Sequence, residues 1–385
     1  MDKKAGKRRG VSAARPVISE DGLQALLPEI EQILRSGQYI LGPHTQRFEE
    51  MFSQYIGTSH AVAVSTCSAA LQIILRYYEI EGREVIVPTS GFPGGLSPIL
   101  FEKGLPVLSE MDEQTFCMDV DDAMSRVTRK TAGFIVTHIA GRIQPDLDKL
   151  RLLCEKKGLF LIEDAAHAHG ASIRGQKAGA LADAACFSFY PTKNMTSLTG
   201  GMITTDSKEL AELARSLRHH GLDQQSNEFV HLGSDWCMSE IHAAVGICQL
   251  RELDEHVAHR NRVVQWYREK LAHLDWITIP EHDEEIVHAY YKLPTLLDAG
   301  IDGEKLRHEL QVDFGIQNGT IYDPPCHLQP VHRERFGGRP GMFPKAEQTL
   351  ARQFCPPVHA TITEDEVDYV VEMLTASVEK CWQGS

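Results

Sequence analysis

Three places along the chain set reactive side chains directly after an apolar, β-rich run. After His60 to Ser65 come Thr66, Cys67 and Ser68, which open a helical stretch at once. Small hydroxyl residues at a helix start leave backbone N–H groups and the positive end of the helix dipole free to hold a phosphate. Ser68 reads equally as a plain N-cap. After Leu159 to Glu163 comes Asp164, followed by Ala165, Ala166 and His167. A carboxylate at the mouth of a buried strand is costly without a cation or a hydrogen-bond donor, and its simplest other use is to cap the next turn. After Ala184 to Phe189 come Tyr190, Pro191, Thr192 and Lys193. That spacing lets Ser188 and Lys193 face one crevice, although a single lysine after a strand is ordinarily solvated.

Taken together, the three ends form a set. A lysine that carries a carbonyl cofactor as a Schiff base, an acid that keeps a pyridine nitrogen protonated and a phosphate cup at a helix start are what pyridoxal phosphate requires. Rival phosphate motifs are missing. There is no G-x-G-x-x-G, and Gly170 and Gly175 have Walker-like spacing but are followed by Gln176 instead of lysine. No metal is expected either. The nine cysteines are scattered with no C-x-x-C pair, which reads as reduced thiols with neither a disulfide framework nor a zinc knuckle.

The elements that must position these residues follow from periodicity. From about residue 45 to 220, strand-like runs alternate with helical ones. The strands are expected at His60–Ser65, Glu84–Val87, Leu105–Leu108, Gly133–Thr137, Leu159–Glu163, Ala184–Phe189 and Met202–Thr205, with helices such as Ser68–Tyr78 and Asp146–Lys157 between them. This predicts an α/β fold with a mostly parallel seven-stranded sheet between helices. Ligands of such sheets bind outside the carboxyl ends of the strands, where the three sets of residues fall. A long helix is expected over Met238–Leu271. Strand-like runs at Trp276–Ile279 and His288–Leu293 follow, then helices at Gly303–Leu310 and Glu364–Val378, which suit a smaller C-terminal α+β domain. The expected division is a large cofactor domain over 19–255 and a small domain over 256–385.

With 385 residues, 42% of them hydrophobic, the chain can bury cores for two such domains. A net charge of -14 excludes a nucleic-acid partner of the ordinary kind, which concentrates positive charge on one face. The exception is the cluster Lys3, Lys4, Lys7, Arg8 and Arg9, read as a solvated arm within a disordered basic tail over residues 1–18. Arg8 and Arg9 are not followed by the apolar run that an export signal needs. No stretch approaches the roughly 20 apolar residues that cross a bilayer. The expected setting is therefore cytoplasmic, with no membrane partner.

At these residues the chain resembles the DegT/DnrJ/EryC1/StrS family of pyridoxal-phosphate sugar aminotransferases, a branch of the aspartate aminotransferase fold (fold type I). The resemblance runs from about Ser36 to the C-terminus. It is carried by "SGQYILGPHTQRFEEMF" from Ser36, "HAVAVSTCSAAL" from His60, "IEDAAHAHGA" from Ile162, "CFSFYPTKN" from Cys186, "GSDWCMSEIHAAVGICQL" from Gly233 and "MFPKAEQ" from Met342. It implies that Lys193 holds the cofactor and shuttles a proton, and that Asp164 pairs with the pyridine nitrogen. Thr66, Cys67, Ser68 and Ser188 match the phosphate cup, and Phe92 the aromatic that stacks on the cofactor ring. Tyr322 and His327, in "IYDPPCHLQP", fall in the substrate-facing loop.

In four places the chain departs from the family pattern. His167 stands where a glutamine commonly bonds the cofactor hydroxyl. Asp235 and Cys237 replace an asparagine and an arginine that reach into the neighbouring subunit's site, and Thr199 replaces a glutamate ahead of Gly200 and Gly201. Asp235 cannot donate to a phosphate as an asparagine can. The resemblance implies a homodimeric aminotransferase with shared sites and a ping-pong reaction. Nitrogen passes from an amino acid donor such as glutamate or glutamine to a keto-sugar, keto-cyclitol or related ring ketone, as in sugar or antibiotic biosynthesis. The alternatives are a same-fold enzyme acting on an amino acid or another non-nucleotide substrate, including by elimination, and a non-catalytic regulatory protein on the same scaffold. The lysine at 193 argues against the eliminating sugar dehydratases, which carry histidine there.

Overall fold

The computed structural model describes residues 10–223, 225–281 and 285–382. The basic residues at 3 to 9 lie outside them.

All seven expected strands form, within a residue or two of their expected bounds. They are β1 (His60–Val64), β2 (Glu84–Pro88), β3 (Leu105–Ser109), β4 (Thr131–Thr137), β5 (Phe160–Asp164), β6 (Ala184–Ser188) and β7 (Gly201–Thr205). They make one sheet in the order β1-β7-β6-β5-β4-β2-β3. From β3 across to β6 every neighbour is parallel, whereas β7 runs antiparallel to both β1 and β6. Every residue of β4 is buried, as expected of a central strand covered on both faces. Alternation along β7 shows the two layers: Met202 points into a cluster with Phe48, Phe52 and Phe187, and Ile203 into another with Val62, Ile73 and Ile162.

The helices used below are α1 (Glu20–Ser36), α2 (Pro43–Ile56), α3 (Cys67–Tyr77), α4 (Leu147–Lys157), α5 (Lys208–Leu217), α6 (Glu240–Leu271), α7 (Gly303–Phe314) and α8 (Glu364–Val378). The 32 residues of α6 extend about 48 Å at 1.5 Å per residue. Gly246 lets the helix lie against α2, since a β-carbon there would come 2.5 Å from the Phe48 ring. Leu250, Leu253 and Val257 pack with the large sheet, whereas Val263, Val264, Tyr267 and Leu271 pack with Leu306 and Leu310 of α7 and with Val367, Val370 and Leu374 of α8. The boundary expected at residue 255 thus falls inside one continuous helix, near where its packing passes from one core to the next.

Two expectations need correction. Residues 10–18 are not a disordered tail: Val11 is buried, and its backbone exchanges hydrogen bonds with Gly315 and Gln317 beyond α7. Nor is His288–Leu293 a strand. Tyr290 has a left-handed φ of 42°, which extended backbone does not allow. The backbone of this run is bonded by Gly141, Ala140, Asn194 and Asn261 instead of by a strand. The small sheet is built from β8 (Ile277–Thr278), β9 (Thr295–Leu297) and β10 (Gln353–Phe354), all antiparallel. All nine cysteines are free. Among the described residues no helix is long and apolar enough to cross a membrane.

Candidate active site

A cavity of about 560 Å³ opens at the carboxyl ends of β4, β5 and β6, against the start of α3. The sheet register sets Thr137, Asp164 and Cys186 abreast on these three strands. Ser188, two residues beyond Cys186, falls on the same side. Thr66, Cys67, Ser68, Phe92, Asp164, His167, Ser188 and Lys193, all singled out by sequence, line this one space together with Thr199 and Tyr322.

The helix start is capped by Thr66, whose hydroxyl accepts from Ala69 N–H at 3.1 Å. Ser68 is therefore not the cap, and its hydroxyl stays exposed beside the first turn of α3. The close approach of this turn to the sheet depends on Gly201. A β-carbon there would lie 2.3 Å from the Thr66 carbonyl carbon and 2.6 Å from Cys67 N. Gly201 pairs with Val64 on one side and Ser188 on the other, so the missing side chain seats the helix start between β1 and β6.

Adjacent acids at the end of β5 go to opposite faces. Glu163 is wholly buried, accepting from Gly179 N and Leu181 N at 2.8 Å each and standing 2.7 Å from His138 Nε2. Asp164 faces the cavity, where Oδ1 accepts from Ala166 N–H at 3.1 Å. Burial pushes its carboxyl above the ordinary value, only partly offset by the Ala166 N–H and the charge of Lys193. Its other close neighbours are thiols: Sγ of Cys67, Sγ of Cys186 and a carboxylate oxygen lie within 4.8 Å of one another. A buried acid so placed calls for a cationic partner from within the cavity.

Lys193 ends a tight turn in which its N–H donates to Tyr190 O at 3.0 Å. Its Nζ lies 4.6 Å from the centre of the Tyr291 ring. Among the described residues it has no carboxylate within ion-pair distance, so its ammonium is left to the cavity. The next residue, Asn194, donates to Ala289 O at 2.6 Å and ties this turn to the segment that carries Tyr291.

His167 sits inside a stack. Its ring lies 4.3 Å from Tyr291 and 5.8 Å from Tyr322, nearly parallel to both. Nδ1 accepts from Ala140 N–H at 3.3 Å and Nε2 is 2.9 Å from the Tyr322 hydroxyl. Phe92 is half exposed and tilted 5.3 Å from Tyr322, so it forms the rim of the cavity and is not part of a core.

Three of the expected residues do not join them. Asp235 is exposed, and its backbone pairs with that of His219. Cys237 turns its thiol to the Arg218 carbonyl at 3.2 Å. His327, expected in the substrate loop, is buried between Thr89 Oγ1 and Glu347 Oε1, 2.9 Å from each, and packs on Phe343. Both of its nitrogens are occupied in holding that loop together. Sequence reasoning missed Tyr291, Thr137, Tyr190 and Thr192 as cavity residues. Tyr291 was hidden because the run around it reads as a strand, whereas Tyr190 and Thr192 lay in plain view beside Lys193.

A family model, the DegT/DnrJ/EryC1/StrS aminotransferase family, matches residues 21–375. Among curated proteins, an uncharacterized protein of Methanocaldococcus jannaschii is 31% identical over 381 residues, covering 95% of this chain and 97% of that one. GDP-perosamine synthase of Caulobacter vibrioides is 33% identical over 338 residues, covering 87% and 90%. Among solved structures, Spr1654 of Streptococcus pneumoniae in its PLP-form superposes with a TM-score of 0.89 at 27% identity, covering 96% of this chain and 99% of that one.

Proposed function

Because the chain belongs to the DegT/DnrJ/EryC1/StrS aminotransferase family and is a pyridoxal-phosphate aminotransferase of fold type I, we propose that it moves an amino group from an amino acid to a sugar-type ring ketone, with Lys193 holding the cofactor. The observation that carries the site assignment is the meeting, in one cavity, of Lys193 and the buried Asp164, neither of which has an ion-pair partner among the described residues, with the start of α3. When bound, pyridoxal phosphate supplies an aldehyde that takes up nitrogen and a ring that draws electrons from the carbon losing a proton.

The chain's own residues divide the work by chemistry. Asp164, buried and short of a cation, favours a protonated pyridine nitrogen and keeps the ring an electron sink. The free N–H groups of α3, with the hydroxyls of Ser68 and Ser188, suit a phosphate. Lys193 Nζ is the base that takes the proton from the amino-bearing carbon. The stack of Tyr291, His167 and Tyr322 walls this lysine from water on one side. The donor is glutamate or glutamine, and the assembly is a twofold homodimer in which Asp235 and Cys237, which do not line this chain's own cavity, face the partner's.

The test follows the two halves of the reaction. Glutamate or glutamine alone should shift the visible absorption of the bound cofactor, and a keto-sugar added afterwards should restore it and appear as an amino-sugar by mass spectrometry. Borohydride reduction should leave the pyridoxyl label on the peptide containing Lys193, and a label elsewhere ends the assignment. A monomer that is fully active in sedimentation refutes the shared site.

A further inference from the structure

We infer that Tyr322 donates a hydrogen bond to an oxygen inside the cavity, and that His167 sets the direction of its proton. The inference rests on the reading of this cavity as the cofactor and substrate pocket.

Ala140 N–H has only a proton to give, so His167 Nδ1, 3.3 Å away, must be the nitrogen with the free lone pair. The ring is neutral, because burial and the nearby charges of Lys193 and Lys292 hold it well below the ordinary histidine value. Its single proton is therefore on Nε2, 2.9 Å from the Tyr322 oxygen, and that oxygen accepts it. Tyr322 is itself held protonated, since burial raises its phenol well above the ordinary value. Its own proton cannot point back at Nε2. Among the described residues its hydroxyl has no other partner, and its ring lines the cavity, so the proton is presented there.

The surroundings fix this arrangement. Ala140 holds a left-handed φ of 58°, followed by Gly141 at 92°, a turn that brings its N–H to His167. A β-carbon at Gly141 would come 2.9 Å from both His167 O and Tyr290 N, so the turn is pressed between the two segments that carry the stack. His138, two residues before Ala140, is anchored on Glu163, and its Nδ1 accepts from Gln144 N–H at 3.0 Å. With both nitrogens engaged, His167 has no proton left for a ligand. It is a positioning residue, and Tyr322 takes over the donation expected of position 167. The oxygen served is either the phenolic oxygen of the cofactor or the carbonyl oxygen of the keto acceptor, which share the need for a neutral donor.

Nitrogen-15 labelling of the histidines, with His167 assigned by comparison with His167→Gln, reads the tautomer without any turnover. The expected pattern is protonated Nε2 and bare Nδ1 at neutral pH, and a proton on Nδ1 overturns the inference. In the holoenzyme Tyr322→Phe removes only the hydroxyl. If the cofactor oxygen is served, pyridoxal phosphate should bind roughly tenfold more weakly and the pH midpoint of its visible band should move. If the acceptor carbonyl is served, spectrum and glutamate half-reaction stay as they are and kcat/KM for the keto acceptor falls roughly tenfold, the equivalent of one ordinary hydrogen bond. Changes within twofold in all of these overturn the inference while leaving the cofactor assignment intact. A protein that takes up no pyridoxal phosphate at all overturns the functional reading and the cavity oxygen with it.

Discussion

Glu163 and His138 meet at 2.7 Å with both side chains fully buried, directly behind the residue that faces the cavity. The pair joins the end of β5 to the turn after β4, and that turn holds His167. Removing the acid leaves His138 Nε2–H, Gly179 N–H and Leu181 N–H without an acceptor in the core. Glu163→Ala should therefore lose about 3–5 kcal/mol of stability, the usual cost of breaking a buried pair from one side. Urea denaturation measures it, and a loss below about 1 kcal/mol, the level of an exposed pair, shows that the network is not what holds the turn.

For Asp164 the pH dependence has a definite sign. Burial raises its folded-state value above the unfolded one, so between the two values the folded chain binds more protons and its stability falls as pH rises. At neutral pH Asp164 is then a liability to the cofactor-free protein. Asp164→Asn should make the cofactor-free protein more stable than wild type at neutral pH, with the difference vanishing once the pH drops below the ordinary carboxylate value. The same variant should still bind pyridoxal phosphate yet lose most turnover, because an amide does not hold the ring nitrogen protonated. Near-normal turnover, or a stability difference that grows on acidification, contradicts this account.

At Gly201 the sequence offers only a pair of glycines, and the structure supplies the reason for the second. Gly201→Ala drives a methyl group into the backbone of Thr66 and Cys67, so the start of α3 must move away from β7. Overpacking of this kind costs about 1–3 kcal/mol, and here it falls on the turn proposed to hold the phosphate. The expected result is a rise of at least tenfold in the dissociation constant for pyridoxal phosphate, against a modest loss in thermal stability. Equilibrium titration of the cofactor decides it. Unchanged affinity means that the turn does not hold the phosphate.

Much of the candidate site was legible because strand ends are local. Lys193, Asp164 and Ser68 each come after a short apolar run and Ser188 lies at the end of one, and a parallel sheet brings such ends together whatever the loops do. What escaped was irregular or long-range. The run at 288–293 has the composition of a strand, but Tyr290 adopts a left-handed φ and the backbone is bonded by side chains from other segments, so Tyr291 was not placed in the cavity. Nothing local marks His327 as a core bridge between Thr89 and Glu347. The Thr66 cap in place of Ser68 was within reach, since threonine caps helices nearly as well as serine.

The last prediction concerns the acceptor. Among the described residues lining the cavity, Lys193 is the only lysine or arginine, and the remainder of the wall is largely tyrosine, phenylalanine and small hydroxyl residues. The arginine that the family pattern would place at 237 is a cysteine whose thiol turns to a backbone carbonyl, and Asp235 adds an exposed negative charge in the same segment. Loss of a planar, charge-assisted donor removes about 1.5–3 kcal/mol from the binding of an anionic group. The expected acceptor is therefore one less anionic than a nucleotide diphosphate sugar: a free keto-sugar, a keto-cyclitol or another small ring ketone. Steady-state kinetics with matched free and nucleotide-linked keto-sugars should give the higher kcat/KM for the free form. Cys237→Arg should narrow that ratio by roughly tenfold or more, the factor that 1.4 kcal/mol represents. A clear preference of the wild-type protein for the nucleotide-linked form refutes the reading and shows that cations from elsewhere, including the partner subunit, supply what position 237 lacks.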